Sequence, residues 1–474
     1  MLDLKAMGAN GLHQGAIRVL KDNILPEERG GYTAASVRIQ LKGEEKPRFL
    51  YPFQWLWDTF FIAGWSEDVN QSKTDVENFL AAQTPEGFLG HIRYNRAILA
   101  RREYFPPPNL YFYGGVLPRR GKLASKITQP PNAGWGLNLL AKKLPETAAN
   151  RKFLKESFNA VFRYHRYIYQ NLVKDGLWVL LHPWESGMDN SPSWDRVYEP
   201  IEKKKQLQKE VTAWLKKLDV PYERADLKLV PASQRPTDPH YALYLYLLHL
   251  YAEWGWDRRI IMNRSPFKVQ DPLGNSVLIR ANLSLAELGE RIGAEEEKIT
   301  QLKSWAQETA RGLEALWDEK AGLYFPKNLA NVKLLGVETV SSYIPLFSGA
   351  IPKEKASRLA KGIETLKKER NIRYLLPSTS PHEKTFDPQS YWRGPVWPIT
   401  NELIAEGLEL YGFKSLAKEI RKDTLKLVEK NLKDRGGFFE CYHPQTGEGL
   451  GSPHQSWTAA TVLKILEELK GNRG

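Results

Sequence analysis

The sequence predicts an all-α protein whose helices pair into hairpins and close into a ring. Three observations carry this. Apolar residues recur at three- and four-residue spacing nearly throughout, the signature of amphipathic helices. Sustained two-residue alternation is scarce, and no series of evenly spaced strands appears. A weak repeat, glycine followed by two large apolar residues, occurs at Gly87-Phe88-Leu89, Gly176-Leu177-Trp178, Gly322-Leu323-Tyr324 and Gly437-Phe438-Phe439. Each copy follows a helical segment, where glycine suits a left-handed C-terminal cap, and each precedes a loop toward the next helix. Helix–loop–helix units with aromatic clusters at one set of helix ends imply a ring whose loops converge on one pocket.

Composition bounds the rest. A chain of 474 residues can bury a large core, and length alone suggests about three domains. No Pro/Gly/Ser-rich linker divides it, so the expectation is one domain over 1–474, with the charged, poorly periodic stretch 196–235 as a lid-like insertion. Hydrophobic residues at 42% and charged residues at 26% exclude disordered, collagen-like and membrane-embedded chains. Residues 1–7 lack the apolar stretch of a signal peptide, so a cytoplasmic location is expected. The single cysteine, Cys441, excludes a disulfide framework and a cysteine-based zinc site. The net charge of +13 is spread along the chain. Its densest block (Lys203, Lys204, Lys205, Lys209, Lys216, Lys217) is interleaved with Glu202, Glu210 and Asp219 and reads as a solvated face. No nucleic-acid-binding motif accompanies it. Neither nucleic acid nor membrane is expected as a partner.

Along the chain, segment 53–61 comes first, with five aromatic residues around Gln54 and Asp58. A buried carboxyl is costly without a partner. Beside tryptophan it can grip sugar hydroxyls while the ring stacks on the sugar's C–H face; it equally fits a capped helix start beside core aromatics. Gln129-Pro-Pro-Asn-Ala-Gly-Trp135 opens another helix. Segment 182–195 then packs Glu185, Asp189 and Asp195 between Trp184 and Trp194. A carboxyl held against indole has its pKa raised. That is what a general acid needs, an effect worth roughly 10²–10⁴-fold. Local turns and caps are the competing account; the Gly-Met-Asp-Asn turn favours a functional Asp189, whereas Asp195 fits either.

Asp238 and Pro239 begin a helix through Tyr251 that is apolar on all sides, as in a buried helix. After Tyr391-Trp-Arg-Gly-Pro-Val-Trp397, Pro398 stands in the first turn of a helix that Gly412 ends. Glu440 follows Phe438 and Phe439 on a loop. Asp189 and Glu440 follow corresponding glycine repeats and should face one mouth; paired carboxyls across a substrate are the layout for glycosidic hydrolysis. His454-Gln-Ser-Trp457 opens the last helix, with Ala459, Val462, Leu463, Leu466 and Leu469 at helical spacing before Gly471. The nine histidines show no metal-ligand spacing, and no nucleophile elbow, dinucleotide fingerprint or phosphate loop is present. Cys441 reads as a small packing residue.

Together these motifs resemble glycoside hydrolase family 63, in its short bacterial branch of mannosylglycerate and glucosylglycerate hydrolases. The resemblance is carried by Gln54-Trp-Leu-Trp-Asp58, Gln129, Trp184-Glu-Ser-Gly-Met-Asp-Asn190, Arg235-Pro-Thr-Asp238, Tyr391-Trp-Arg-Gly-Pro-Val-Trp397, Glu440 and His454-Gln-Ser-Trp457. It runs from about residue 50 to the C-terminus, and Glu-Ser-Gly-Met-Asp is also similar to trehalases of a related family. The resemblance implies an (α/α)6 barrel with an inserted helical lid and an inverting hydrolase of α-linked sugars. By it, Asp189 is the general acid and Glu440 the general base, roughly 6.5–9.5 Å apart. Tyr51, Trp57, Asp58, Gln129, Trp184, Glu185, Gly187, Tyr391, Trp392, Arg393, Gly394, His454 and Trp457 line the sugar site, and no metal or organic cofactor takes part. The favoured substrate is a small α-glycoside such as mannosylglycerate or glucosylglycerate. Its carboxylate would be clamped by Arg393, His454 or basic residues of the lid. Neutral α-gluco-oligosaccharides are the alternative, and a non-catalytic carbohydrate-binding barrel a remoter one. A homo-oligomer is compatible with this reading.

Overall fold

Helices α1 (Ala9–Asp22) and α2 (Leu56–Trp65) show the two roles helices take in this chain. In α1 one side is buried, whereas all ten residues of α2 are buried, as expected of a helix that is apolar all round. After them come α3 (Val69–Leu80), α4 (Arg96–Leu99), α5 (Ala133–Lys143) and α6 (Ala148–Asn171). Four helices of the next segment follow: α7 (Asp195–Glu202), α8 (Leu207–Lys217), α9 (Asp238–Glu253) and α10 (Arg258–Arg264). The chain then runs through α11 (Pro272–Ile292), α12 (Glu296–Leu313), α13 (Pro345–Ser348) and α14 (Lys353–Glu369). It finishes with α15 (Pro398–Leu410), α16 (Lys414–Arg435) and α17 (Ser456–Gly471). This computed structural model describes residues 8–27, 30–36, 51–99, 106–118, 121–204, 206–228, 230–369 and 372–471. The expectations placed on residues 1–7 and on Lys205 lie outside the described residues.

Helices α2, α5, α11, α13, α15 and α17 form an inner ring in which each packs on the next and α17 returns to α2. Outside them, α1 packs on α17, α3 on α2, α6 on α5 and α11, α12 on α11, and α16 on α15. Helix α14 is tied to its neighbours by Lys355 with Glu314 and by Lys367 with Glu419. Six inner and six outer helices make the expected (α/α)6 barrel. The inner helices are mostly buried, with exposed residues such as Leu283 in α11 and Leu410 at the end of α15; the outer ones keep charged faces. Between α6 and α11, helices α7 and α8 pack on α9. The apolar α9 is therefore covered by the inserted segment rather than set in the inner ring. Thr237, one residue before the expected cap, accepts a hydrogen bond from the His240 N–H and starts α9. Among the described residues, Lys203, Lys204, Lys209, Lys216 and Lys217 are exposed, and no helix is long and apolar enough to cross a membrane.

The glycine repeats are not a set of helix caps. Asp175 and Gly176 both have positive φ (52° and 77°) and connect strand Val173–Lys174 to Leu177–Leu180. That is the backbone of a two-residue hairpin, for which Asp-Gly is a favoured pair. Gly322 belongs to the hairpin of Trp317–Asp318 with Leu323–Tyr324, and Gly87 lies in a turn beyond α3. At the fourth site the left-handed cap is Gly436 (φ 69°), one residue before the expected one. The reason is topological: a chain leaving an outer helix must reverse before entering the inner ring, and short hairpins accomplish this. All strands among the described residues are two to four residues long.

Candidate active site

The loops from outer to inner helices meet around a pocket of about 900 Å³, counting its open mouth. Its wall includes Tyr51, Trp57, Asp58, Gln129, Trp184, Gly187, Asp189, Tyr391, Glu440 and Trp457. Several of these stand at or just before the N-terminal ends of inner helices: Trp57 and Asp58 in α2, Gln129 before α5, Tyr391 before α15, Trp457 in α17. Trp57 meets Trp457 edge to face at 5.7 Å, Trp457 meets Trp397 at the same distance, and Trp397 stacks on Trp392 at 3.8 Å. Trp57 and Trp457 are thus wall rings backed by Trp397 and Trp392.

The loop carrying Asp189 is fixed from several sides. A Cβ at Gly187 would come within 2.8 Å of the Trp57 ring, and φ there is +72°, so glycine permits this close approach. The backbone carbonyl of Asp189 accepts hydrogen bonds from the hydroxyls of Tyr198 (2.8 Å) and Tyr244 (2.9 Å). The Asn190 side-chain oxygen accepts from the Trp392 N–H at 2.9 Å. Arg393 grips Asp195 through both carboxylate oxygens (2.9 and 2.7 Å) and reaches the Asn190 carbonyl at 3.3 Å. A bidentate guanidinium fixes orientation as well as distance. Burial pushes the Asp189 carboxyl up, Arg235 opposes this and Glu440 reinforces it, to about 7.

Glu440 is the charged partner of Arg235, with Nη2 at 2.7 Å and Nη1 at 3.3 Å. Both side chains are buried. The carboxylate also accepts from the Ser452 N–H (3.1 Å) and the Tyr391 hydroxyl (3.4 Å). Asp58, in the first turn of α2, is raised to about 8, by burial first and by Glu440 in addition. The pocket thus holds an acid that keeps its proton close to neutrality, a carboxylate engaged in an ion pair, and a second neutral carboxyl able to donate and accept hydrogen bonds. The indole N–H groups of Trp55 and Trp457, Nε of Arg235 and Oε1 of Gln455 are buried and meet no hydrogen-bond partner among the described residues. Buried polar atoms are rarely left so, and a polyhydroxylated substrate can satisfy them. Among the described residues, no three of His, Cys, Asp and Glu come together as a metal-holding group.

Comparison with known proteins extends this picture. The family described as "Mannosylglycerate hydrolase MGH1-like glycoside hydrolase domain" matches residues 51–458. The chain belongs to this MGH1-like family. A mannosylglycerate hydrolase of Thermus thermophilus is 38% identical over 422 residues, covering 87% of this chain and 94% of the relative. A glucosylglycerate hydrolase of Mycolicibacterium hassiacum is 31% identical over 432 residues, covering 88% and 92%. The crystal structure of a family 63 mannosylglycerate hydrolase from a second strain of Thermus thermophilus, in complex with Tris and D-glycerate, superposes with TM-score 0.79 at 35% identity. It covers 95% of this chain and 99% of that one. The neutral trehalase Nth1 of Saccharomyces cerevisiae, at 16% identity and TM-score 0.55, shares the fold. The protein is a glycoside hydrolase.

Within this MGH1-like domain, five sequence-expected site residues stand behind the pocket wall. Glu185 accepts from the Leu181 N–H (2.8 Å) and the Thr128 N–H (3.1 Å), so its carboxylate braces two loops. Trp392 is stacked on Trp397, and Arg393 is occupied by Asp195. Gly394 is needed for packing, since a Cβ there would come within 2.2 Å of the Asp387 carbonyl. His454 offers its carbonyl to Asn23 at 2.9 Å, while its neighbour Gln455 lines the pocket. Sequence reasoning missed Trp55, His91, Asp226, Arg235, Tyr241 and Gln455 as wall residues. Trp55, Arg235 and Gln455 lie inside motifs already singled out. Asp226 and Tyr241 give no local signal, because only the folding of the insertion over the barrel brings them to the pocket.

Proposed function

We propose that this MGH1-like enzyme hydrolyses a small α-glycoside with inversion, Asp189 acting as general acid and Glu440 as general base. Asp189 gives its proton to the glycosidic oxygen as the bond to the anomeric carbon breaks. Glu440 takes a proton from the water that attacks that carbon on the opposite face. The products are the free sugar in the inverted configuration and the aglycone with its hydroxyl restored. The observation that carries this reading is the pairing itself. A carboxyl raised to about 7 and a carboxylate bound to Arg235 come from loops 251 positions apart and face one pocket. Asp58 serves as a sugar-holding group.

The substrate class is a mannose or glucose α-linked to glycerate. The names of the Thermus and Mycolicibacterium relatives support it, as does Arg235, the cation of the pocket wall with an unpaired Nε. Arg393, forked to Asp195, lies outside the pocket wall. Segment 196–235, which supplies Asp226 and Arg235, acts as the lid over the aglycone.

A panel of α-mannosides and α-glucosides, with glycerate or neutral aglycones, read by anomer-resolved NMR, tests substrate and stereochemistry together. Turnover of the glycerate compounds with inversion is expected; net retention overturns the mechanism, and preference for neutral oligosaccharides overturns the substrate. Roles are separated with α-glycosyl fluorides, whose leaving group needs no proton. Asp189→Asn should retain turnover of the fluoride while losing that of the natural glycoside. Asp58→Asn should lose both, and the reverse pattern would exchange the two roles.

A further inference from the structure

We infer that Asp226 selects an aglycone that carries a free hydroxyl beside its carboxylate, hydrogen-bonding that hydroxyl from the lid. This rests on the glycerate reading above and extends it from the charge of the aglycone to its second functional group.

Asp226 sits in the short 3-10 turn Ala225–Lys228 of the inserted segment and forms part of the pocket wall. Its carboxylate is held by a fork from Arg224, Nε to Oδ1 at 3.2 Å and Nη2 to Oδ2 at 2.7 Å. A carboxylate offers about four lone-pair directions, so the fork leaves acceptor capacity unused. Arg224 itself is 4% exposed. Its guanidinium lies 3.8 Å from the centre of the Tyr241 ring, donates to the Pro236 carbonyl at 2.8 Å and reaches Asp238 at 3.1 Å. Asp226, Pro236 and Tyr241 all line the pocket, so one buried cation fixes three wall residues from behind.

That arrangement resolves a conflict. A bare carboxylate on the wall of a site for an anion would repel its substrate. Here Arg224, shared with Asp238, offsets the charge of Asp226, while Arg235, ion-paired to Glu440, keeps an unpartnered Nε for an anion. What remains of Asp226 on the pocket side is hydrogen-bond acceptance, and the group it suits is a hydroxyl. In a glycerate linked through O2, the free hydroxyl is on C3. Lactate differs by a hydrogen there and keeps the carboxylate.

The test compares O2-linked α-glycosides of D-glycerate and D-lactate. The wild type should favour glycerate by about 10- to 100-fold in kcat/KM, the scale of one hydrogen bond to a charged group. Asp226→Ala should reduce the preference to within about threefold. Asp226→Asn, which keeps the shape and an acceptor for Arg224, should leave an intermediate value. Asp238→Asn, which alters Arg224's partners outside the wall, should keep the full preference and so separates lid folding from recognition. Equal turnover of both compounds by the wild type, or an unchanged preference in both Asp226 variants, overturns this inference and leaves the glycerate reading intact. Hydrolysis of neither compound overturns both.

Discussion

Asp189→Asn should abolish hydrolysis of the natural glycoside and yet make the protein more stable, with the gain fading in acid. The Asp189 carboxyl ionises near 3.8 in an unfolded chain and at about 7 in the fold. Between those values the unfolded chain binds fewer protons than the native one, so stability falls as pH rises. The contribution is fully present below about pH 4 and lost as pH climbs through about 7. Each unit is about 1.36 kcal/mol, so the roughly three-unit window amounts to about 4 kcal/mol. Asparagine has no charge to bury, occupies the same volume and leaves the backbone carbonyl free to accept from Tyr198 and Tyr244. At pH 7 the variant should therefore unfold at a higher guanidinium midpoint, by the equivalent of a few kcal/mol, and at pH 4 the two proteins should coincide. Midpoints measured at unit steps from pH 4 to 8 read this directly. A stability difference that does not change with pH, or a variant less stable at pH 7, would refute the claim that burial holds this proton.

Other outcomes follow from the same contacts. The kcat/KM profile should fall on the alkaline side with a midpoint near 7, as the free enzyme's Asp189 loses its proton; a profile flat to pH 9 would exclude it as the acid. Gly451→Ala places a Cβ about 2.4 Å from Glu440 Oε2 at φ +71°. Turnover should drop at least tenfold, with about 1–2 kcal/mol lost to backbone strain, measured by kinetics and denaturation together. Arg421→Met strands Glu402, which is fully buried and receives Arg421 Nε at 3.1 and 2.9 Å and Nη2 at 2.8 Å. Stability should fall by about 3–5 kcal/mol with kcat unchanged at low temperature, because the pair lies outside the pocket wall.

Much of this protein is legible from local pattern. The ends of α15 follow from Pro398 and Gly412, since helix boundaries depend on residues within one turn. The pocket positions of Asp189, Trp57, Trp184, Tyr391 and Trp457 are marked by their company of glycine and indole. Sequence and pocket wall differ where one backbone position decides orientation. His454 and Gln455 are adjacent, and which one faces the pocket depends on how α17 seats against α2. Arg393 looks like a free cation until Asp195, 198 positions earlier in the chain, is brought beside it. Glycine at four helix exits suggested caps, because a cap and a tight hairpin make the same demand on φ. Asp226 and Tyr241 were invisible because their place in the wall depends on Arg224 and on how the insertion folds.

The closure of the inner ring by its first and last members has a consequence for synthesis. All ten residues of α2 are buried, and part of their cover is α17. Roughly 400 residues separate these helices, about 20–80 s of elongation at about 5–20 residues per second. Throughout that interval the nascent chain carries Trp57, Phe60, Phe61 and Trp65 on a helix whose final partner has not left the ribosome. Glu440 and Trp457 arrive in the same late stretch, so the catalytic pocket is assembled by the step that shields this surface. A ribosome stalled before residue 456 would display an adhesive, inactive chain, and chaperone demand during translation should therefore end when activity begins.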